Sequence, residues 1–279
     1  MGLLCLALVA GCGQAPSEAT APPTPTAAAT APAPSPADTP SGSLTAPDEP
    51  TRPTGRAGVP VRKIVGLGDS VMGGTGCECE GPVDALATRL EQRPGAERIA
   101  RVNLGTDGAT TADVGDVIES EDWQPDLKDA DVIVIIVGAN DLTEAYDAWS
   151  EDPENTEPVD DALAQLETSL PDLLARVKTA HGAKPATYLV AGYWNVFAEA
   201  SVEDVPEGYA GWSRQVTERA NTVIETSATD AGMTYVDLVT PFRGPSGDGD
   251  PTPFLADDGD HPNEAGVGVI ADALVAKVP

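Results

Sequence analysis

The sequence predicts an α/β domain built on a parallel sheet with helices over both faces. Strand-like and helix-like segments alternate from Val61 onward, and such alternation specifies parallel strands joined by crossover helices. The clearest strand, Asp131-Val132-Ile133-Val134-Ile135-Ile136-Val137, is apolar almost without a break, which fits a strand covered on both faces. Residues able to do chemistry stand just after strand ends, where open sheets of this type place their sites.

The elements follow in order. Val61 to Leu67 reads as a short buried strand ending in glycine. Pro82 to Arg93 has helical spacing, with Val83, Leu86 and Leu90 on one face. Ile99 to Leu104 is a second strand, and Asp131 to Val137 the third. Val159 to Ala180 is a long amphipathic helix with Leu163, Leu166, Leu170, Leu173 and Leu174 along its inner side, and Gly182 follows as a cap. Ala186 to Val190 and Met233 to Leu238 read as further strands. Trp212 to Thr229 and Asn263 to Lys277 read as helices.

What precedes the domain has a different character. Residues 1–12 carry an apolar run, Gly2 to Ala10, too short for the roughly 20 residues of a membrane span and suited to the core of a secretion signal. The run ends in Val9-Ala10-Gly11-Cys12, which resembles the bacterial lipobox and marks Cys12 for lipidation, although no Lys or Arg precedes it. Residues 13–60 are rich in Pro, Ala and Thr. Twelve of the chain's 26 prolines fall there, and no aromatic residue occurs before Trp123. Such a segment cannot bury a core and is expected to act as an extended tether. The folded domain is expected to span residues 61–279, anchored outside the cell membrane through Cys12, as a monomer. The net charge of −29 argues against a nucleic-acid partner and disfavours strongly anionic substrates.

The candidate chemistry lies in a few short stretches. Gly66-Leu67-Gly68-Asp69-Ser70 places a serine on the turn leaving a strand, though Met72 breaks the Gly-x-Ser-x-Gly pattern. A serine needs a base, and the chain has two histidines. His181 ends the long helix, where an imidazole can meet the last carbonyls. His261 lies in Asp257-Asp258-Gly259-Asp260-His261-Pro262-Asn263, with Asp258 placed to orient the ring. The acids of this loop also admit a solvated or calcium-binding reading, but their spacing does not match an EF-hand. Asn140, after the third strand, suits either a helix cap or an oxyanion donor. Asn103-Leu104-Gly105-Thr106-Asp107-Gly108-Ala109-Thr110 suits either an ordinary turn or a backbone donor. Cys77 and Cys79 read as a local disulfide, with metal binding the poorer alternative. Tyr193, Trp194 and Trp212 fit the core or a pocket wall.

Taken together, Gly68-Asp69-Ser70, Asn103 to Gly108, Gly138-Ala139-Asn140-Asp141 and Asp258-x-x-His261 resemble the four sequence blocks of the GDSL/SGNH hydrolase family, in family order and across the whole domain. Val71 stands where the family most often has Leu. The resemblance implies a three-layer α/β/α sandwich with a flavodoxin-like sheet. It also implies a serine esterase or lipase with Ser70 as nucleophile, His261 as base and Asp258 behind it. The oxyanion hole would comprise the N–H groups of Ser70 and Gly108 and the amide of Asn140. No metal or organic cofactor is required by this chemistry. The substrate, a small-molecule, lipid or glycan ester, is left open, and acyl transfer would use the same residues. A non-catalytic surface module binding a cell-wall glycan is the alternative from another class.

Overall fold

The computed structural model describes residues 60–199, 205 and 207–279. The apolar leader with Cys12, and the Pro-rich stretch up to residue 59, lie outside the described residues.

Five strands form one sheet in the order β2-β1-β3-β4-β5, all parallel. They are β1 (Lys63–Gly68), β2 (Ala100–Gly105), β3 (Val132–Ile136), β4 (Thr187–Ala191) and β5 (Thr234–Val236). This is the strand order of a flavodoxin-like sheet. The strand ends are level: Gly68 pairs with Gly105 on one side and Ile136 on the other. The loops that follow them therefore open at one edge.

The helices are α1 (Ser70–Gly73), α2 (Pro82–Glu91), α3 (Thr111–Glu119), α4 (Gln124–Asp129), α5 (Thr143–Glu151), α6 (Glu157–His181), α7 (Tyr209–Asp230), α8 (Val239–Arg243) and α9 (Glu264–Val275). Parallel crossovers are right-handed, so the turn back from β2 past β1 to β3 puts α3 on the face opposite α2. Accordingly α2 packs with α9, while α6 packs with α3, α4, α5 and α7. Between these layers every residue of β3 is buried, as its unbroken apolar run requires. Burial of each such side chain contributes ~1.5–3 kcal/mol.

The expected strands and long helices are present, with ends moved by at most three residues. Met233 to Leu238 loses the largest share of its length, keeping the three residues of β5. This edge strand pairs only with Leu189, Val190 and Ala191 of β4, so little of it is held in a ladder. Parallel strands start at one edge and helices return to it. There the Arg93 guanidinium, past the end of α2, donates to the Pro279 carbonyl at 3.0 Å. No helix of the described residues is long and apolar enough to cross a membrane.

Candidate active site

Ser70 opens α1 directly after β1. The turn depends on Gly68, whose φ is +152° and whose position against the Ile136 carbonyl leaves no room for a Cβ. The Asp69 N–H donates to that same carbonyl at 3.0 Å. One Asp69 carboxylate oxygen caps α1 by accepting from the Val71 N–H at 3.0 Å, and the other accepts from the Tyr193 hydroxyl. Asp69 is 1% exposed. Burial pushes its carboxyl up to about 6, against the lowering effect of its two hydrogen bonds and with a smaller upward push from Asp260.

That shift has a measurable sign. The folded chain holds the Asp69 proton more tightly than the unfolded chain, whose carboxyl titrates near 3.8. The associated stability is present below pH 3.8 and is lost as pH rises to about 6. Measured relative to Asp69→Asn, which cannot ionise, wild-type stability should fall across this window by roughly 2–3 kcal/mol. Denaturant titrations at a series of pH values test this, and a pH-independent difference would refute it.

His261 is held by the loop that leads into α9. The Asp258 carboxylate divides its work there. One oxygen accepts the backbone N–H groups of Asp260 (2.9 Å) and His261 (3.0 Å), and the other meets the His261 Nδ1 at 2.8 Å. A carboxylate only accepts, so Nδ1 carries the proton and Nε2 is left as the basic nitrogen. Burial works against the charge of Asp258, but the two N–H groups and the imidazole outweigh it and hold the carboxyl below its ordinary value. The loop is pinned by Ala256 N–H donating to the His261 carbonyl (2.8 Å) and by the Asn263 amide donating to Leu255 (2.8 Å) and Pro253 (3.1 Å). Asn263 also caps α9 through the Gly266 N–H at 3.0 Å. From behind, Gly76 stands so close that a Cβ there would lie 2.6 Å from the His261 Cβ. Cys77 and Cys79, next along that loop, are joined as a disulfide with their Cα atoms 5.0 Å apart.

Asn140 does not cap the following helix. Its amide donates to the Ala109 carbonyl at 3.0 Å, which fixes the amide plane and leaves a second N–H for another acceptor. Its neighbour Asp141 accepts from the Thr111 N–H (3.0 Å) and hydroxyl (2.6 Å). Burial raises the carboxyl of Asp141 in spite of these bonds. The loops after β2 and β3 are thereby stitched together twice. Gly108, one residue before Ala109, has a φ of +72° on an open turn. Gly105 instead packs tightly against the Gly73 backbone. The Asn103 amide ties the same loop to the Met72 carbonyl at 2.8 Å.

A cavity of about 180 Å³ lies between these loops, and Ser70, Asn140 and His261 all line it with Asp69 and Asp260. Asp258 stands behind His261, and Gly108 directly precedes the Ala109 carbonyl to which Asn140 donates; neither is part of the lining. Tyr193 and Trp194 prove to be both core and wall: each is at most 2% exposed and each lines the cavity. Trp194 stacks on Phe242 with ring centroids 4.2 Å apart, and its buried indole N–H has no acceptor among the described residues. Trp212 lies outside the lining, stacked on Trp149 (4.6 Å) and Phe197 (4.8 Å).

Sequence reasoning did not find Tyr146, Phe197, Tyr209 or Asp260, which also line the cavity. Asp260 was within reach of it, since it directly precedes His261. The three aromatics come from α5, from the loop after β4 and from α7, and no local pattern unites them. His181 has the structural role expected of it but with other partners than its helix carbonyls. Its Nε2 donates to the Ala130 carbonyl at 3.1 Å, and the Tyr188 hydroxyl meets Nδ1 at 2.7 Å.

Comparison with known proteins gives the family and the fold. A family model described as GDSL-like lipase/acylhydrolase matches residues 64–274. No curated protein matches the sequence. Among solved structures, a lipase from a goat rumen metagenome, Lip_vut3, shares 18% identity at a TM-score of 0.65, over 77% of this chain and 97% of that one. LAE5, an α/β hydrolase enzyme from the metagenome of Lake Arreo in Spain, shares 24% identity at a TM-score of 0.54, over 78% and 94%. A catalytic mutant of Axe2, an acetylxylan esterase from Geobacillus stearothermophilus, shares 18% identity at a TM-score of 0.57, over 79% and 95%. At such identities these structures establish the fold alone, a three-layer α/β/α sandwich.

Proposed function

We propose, from the premise that this chain belongs to the GDSL-like lipase/acylhydrolase family and is a carboxylic ester hydrolase, that it cleaves short-chain esters through Ser70, His261 and Asp258. The observation that carries the reading is the Asp258–His261 bond of 2.8 Å, which leaves Nε2 basic beside a cavity lined by Ser70 and Asn140.

In the first step the Ser70 Oγ attacks the acyl carbonyl and His261 Nε2 takes its proton, while Asp258 stabilises the imidazolium. The negative oxygen of the tetrahedral intermediate accepts hydrogen bonds from the N–H groups of Ser70 and Gly108 and from the free amide hydrogen of Asn140. Collapse expels the alcohol, which leaves with the proton from His261, and the acyl group stays on Ser70. Water then attacks the acyl-enzyme, His261 takes its proton, and a second collapse releases the acid and returns the proton to Ser70.

The short acyl preference rests on the cavity, whose 180 Å³ is below the usual ~300–1,000 Å³ of small-molecule sites. Acetyl esters suit it better than long lipid esters, and the name of the acetylxylan esterase neighbour points the same way. A p-nitrophenyl ester series from acetate to palmitate tests this; a rate that rises with chain length would overturn it. In the same assay Asn140→Ala should lower kcat by ~100- to 1,000-fold with little change in KM. An effect confined to KM would remove Asn140 from the oxyanion role. Export and lipid anchoring at Cys12 belong to this proposal and rest on the run ending in Gly11-Cys12. The mass of the mature amino terminus tests them.

A further inference from the structure

We infer that the site selects esters carrying a positively charged group, an ammonium seated between Asp260 and the aromatic wall. The inference rests on the esterase reading above and adds to it the charge of the substrate.

The cavity is one-sided in charge. Asp69 and Asp260 line it, no Lys or Arg among the described residues does, and His261 is reserved for proton transfer. Asp69 is already occupied by the Tyr193 hydroxyl and the Val71 N–H. Asp260 is not: none of the hydrogen bonds or ion pairs of the described residues engages its carboxylate, although it is partly buried beside the base. A carboxylate removed from water without a partner is costly, and a cation in the cavity would offset that cost.

Another part of the wall is aromatic. Tyr146 has Phe197 and Tyr209 at centroid distances of 5.8 Å each, with Tyr209 edge-on, and all three line the cavity. Ring faces attract cations, quaternary ammonium groups above all. A neutral, hydroxyl-rich substrate would need donors as well as acceptors, and three of the donors in the lining are turned inward. The Tyr209 hydroxyl donates to the Ala198 carbonyl (2.6 Å) and the Asn195 amide to Glu199 (2.9 Å). The Trp194 N–H is sealed from solvent. What remains, apart from the reacting groups, is the Asp260 carboxylate, the hydroxyls of Thr143 and Tyr146, and ring faces; a carboxylate beside ring faces is the chemistry that holds an ammonium. The chain's net charge of −29 would also raise the local concentration of cations.

The test compares two esters of one shape: 2-(trimethylammonio)ethyl acetate and its uncharged isostere, 3,3-dimethylbutyl acetate. Wild-type enzyme is expected to favour the cation by at least about 10-fold in kcat/KM, with the ratio falling as salt rises. Asp260→Asn should bring the ratio near unity, each protein serving as its own control. Tetramethylammonium chloride should inhibit wild-type hydrolysis of the neutral ester competitively, where equal sodium chloride does not, a result independent of whether the variant folds. A neutral ester preferred by wild type, a ratio unchanged in Asp260→Asn, or no inhibition by tetramethylammonium would each overturn the inference. If neither ester is cleaved and a fluorophosphonate fails to label wild type, it is the esterase mechanism that has failed.

Discussion

Replacing Ser70 with alanine is expected to abolish ester turnover, lowering kcat by on the order of 10⁵- to 10⁶-fold, and to eliminate labelling by a fluorophosphonate. The size follows from the loss of the covalent route, since Ser70 is the serine that lines the cavity with His261 among the described residues. The substitution should not unfold the domain. Residue 70 serves the fold through its carbonyl, which accepts from the N–H groups of Gly74 and Thr75 at 3.0 Å each. Its hydroxyl makes none of the hydrogen bonds that hold the described residues together, and alanine favours the helix it opens. An unchanged circular dichroism spectrum with activity gone is therefore the expected pair of results. Wild-type rates in Ser70→Ala would mean that the reaction does not pass through this serine.

Asp258→Asn should have the second largest effect, a drop of about 10³-fold in kcat. A fully buried aspartate in this role is worth ~10⁴-fold, and Asp258 has 45% of its side chain exposed, so solvent recovers part of the loss. The substitution is selective. Asparagine keeps an oxygen to accept the Asp260 and His261 N–H groups, so the loop survives. The amide nitrogen then faces Nδ1 and donates to it, which moves the imidazole proton to Nε2, where it blocks proton transfer from Ser70. Loss of kcat with loop and fold intact is the expected signature. A thermal midpoint lowered in step with activity would mean that Asp258 serves the loop alone.

How far the sequence reached follows from distance along the chain. The buried strands announce themselves because burial on both faces leaves unbroken apolar runs such as that of β3. The pairing of Asp258 with His261 was legible because the partners are three residues apart and precede a helix. Asp69 and Tyr193 are 124 residues apart, and nothing local to either indicates the bond. The same holds for Asn140 and Ala109, 31 residues apart, which is why the local sequence alone favours a helix cap over an oxyanion donor. α5 was missed for a different reason: it buries only Ala145 and Trp149, too few apolar positions to set a helical period. With it went Tyr146, and so the aromatic wall.

The edge at which the strands begin has a practical consequence. β1 enters the sheet there at Lys63, and Arg93 holds the Pro279 carbonyl there, while the loops bearing Ser70 and Asn140 open at the opposite edge. Both ends of the folded domain thus face away from the cavity mouth. Whether the domain is coupled to a bead, a fusion partner or a bilayer, attachment through either end leaves the mouth unobstructed.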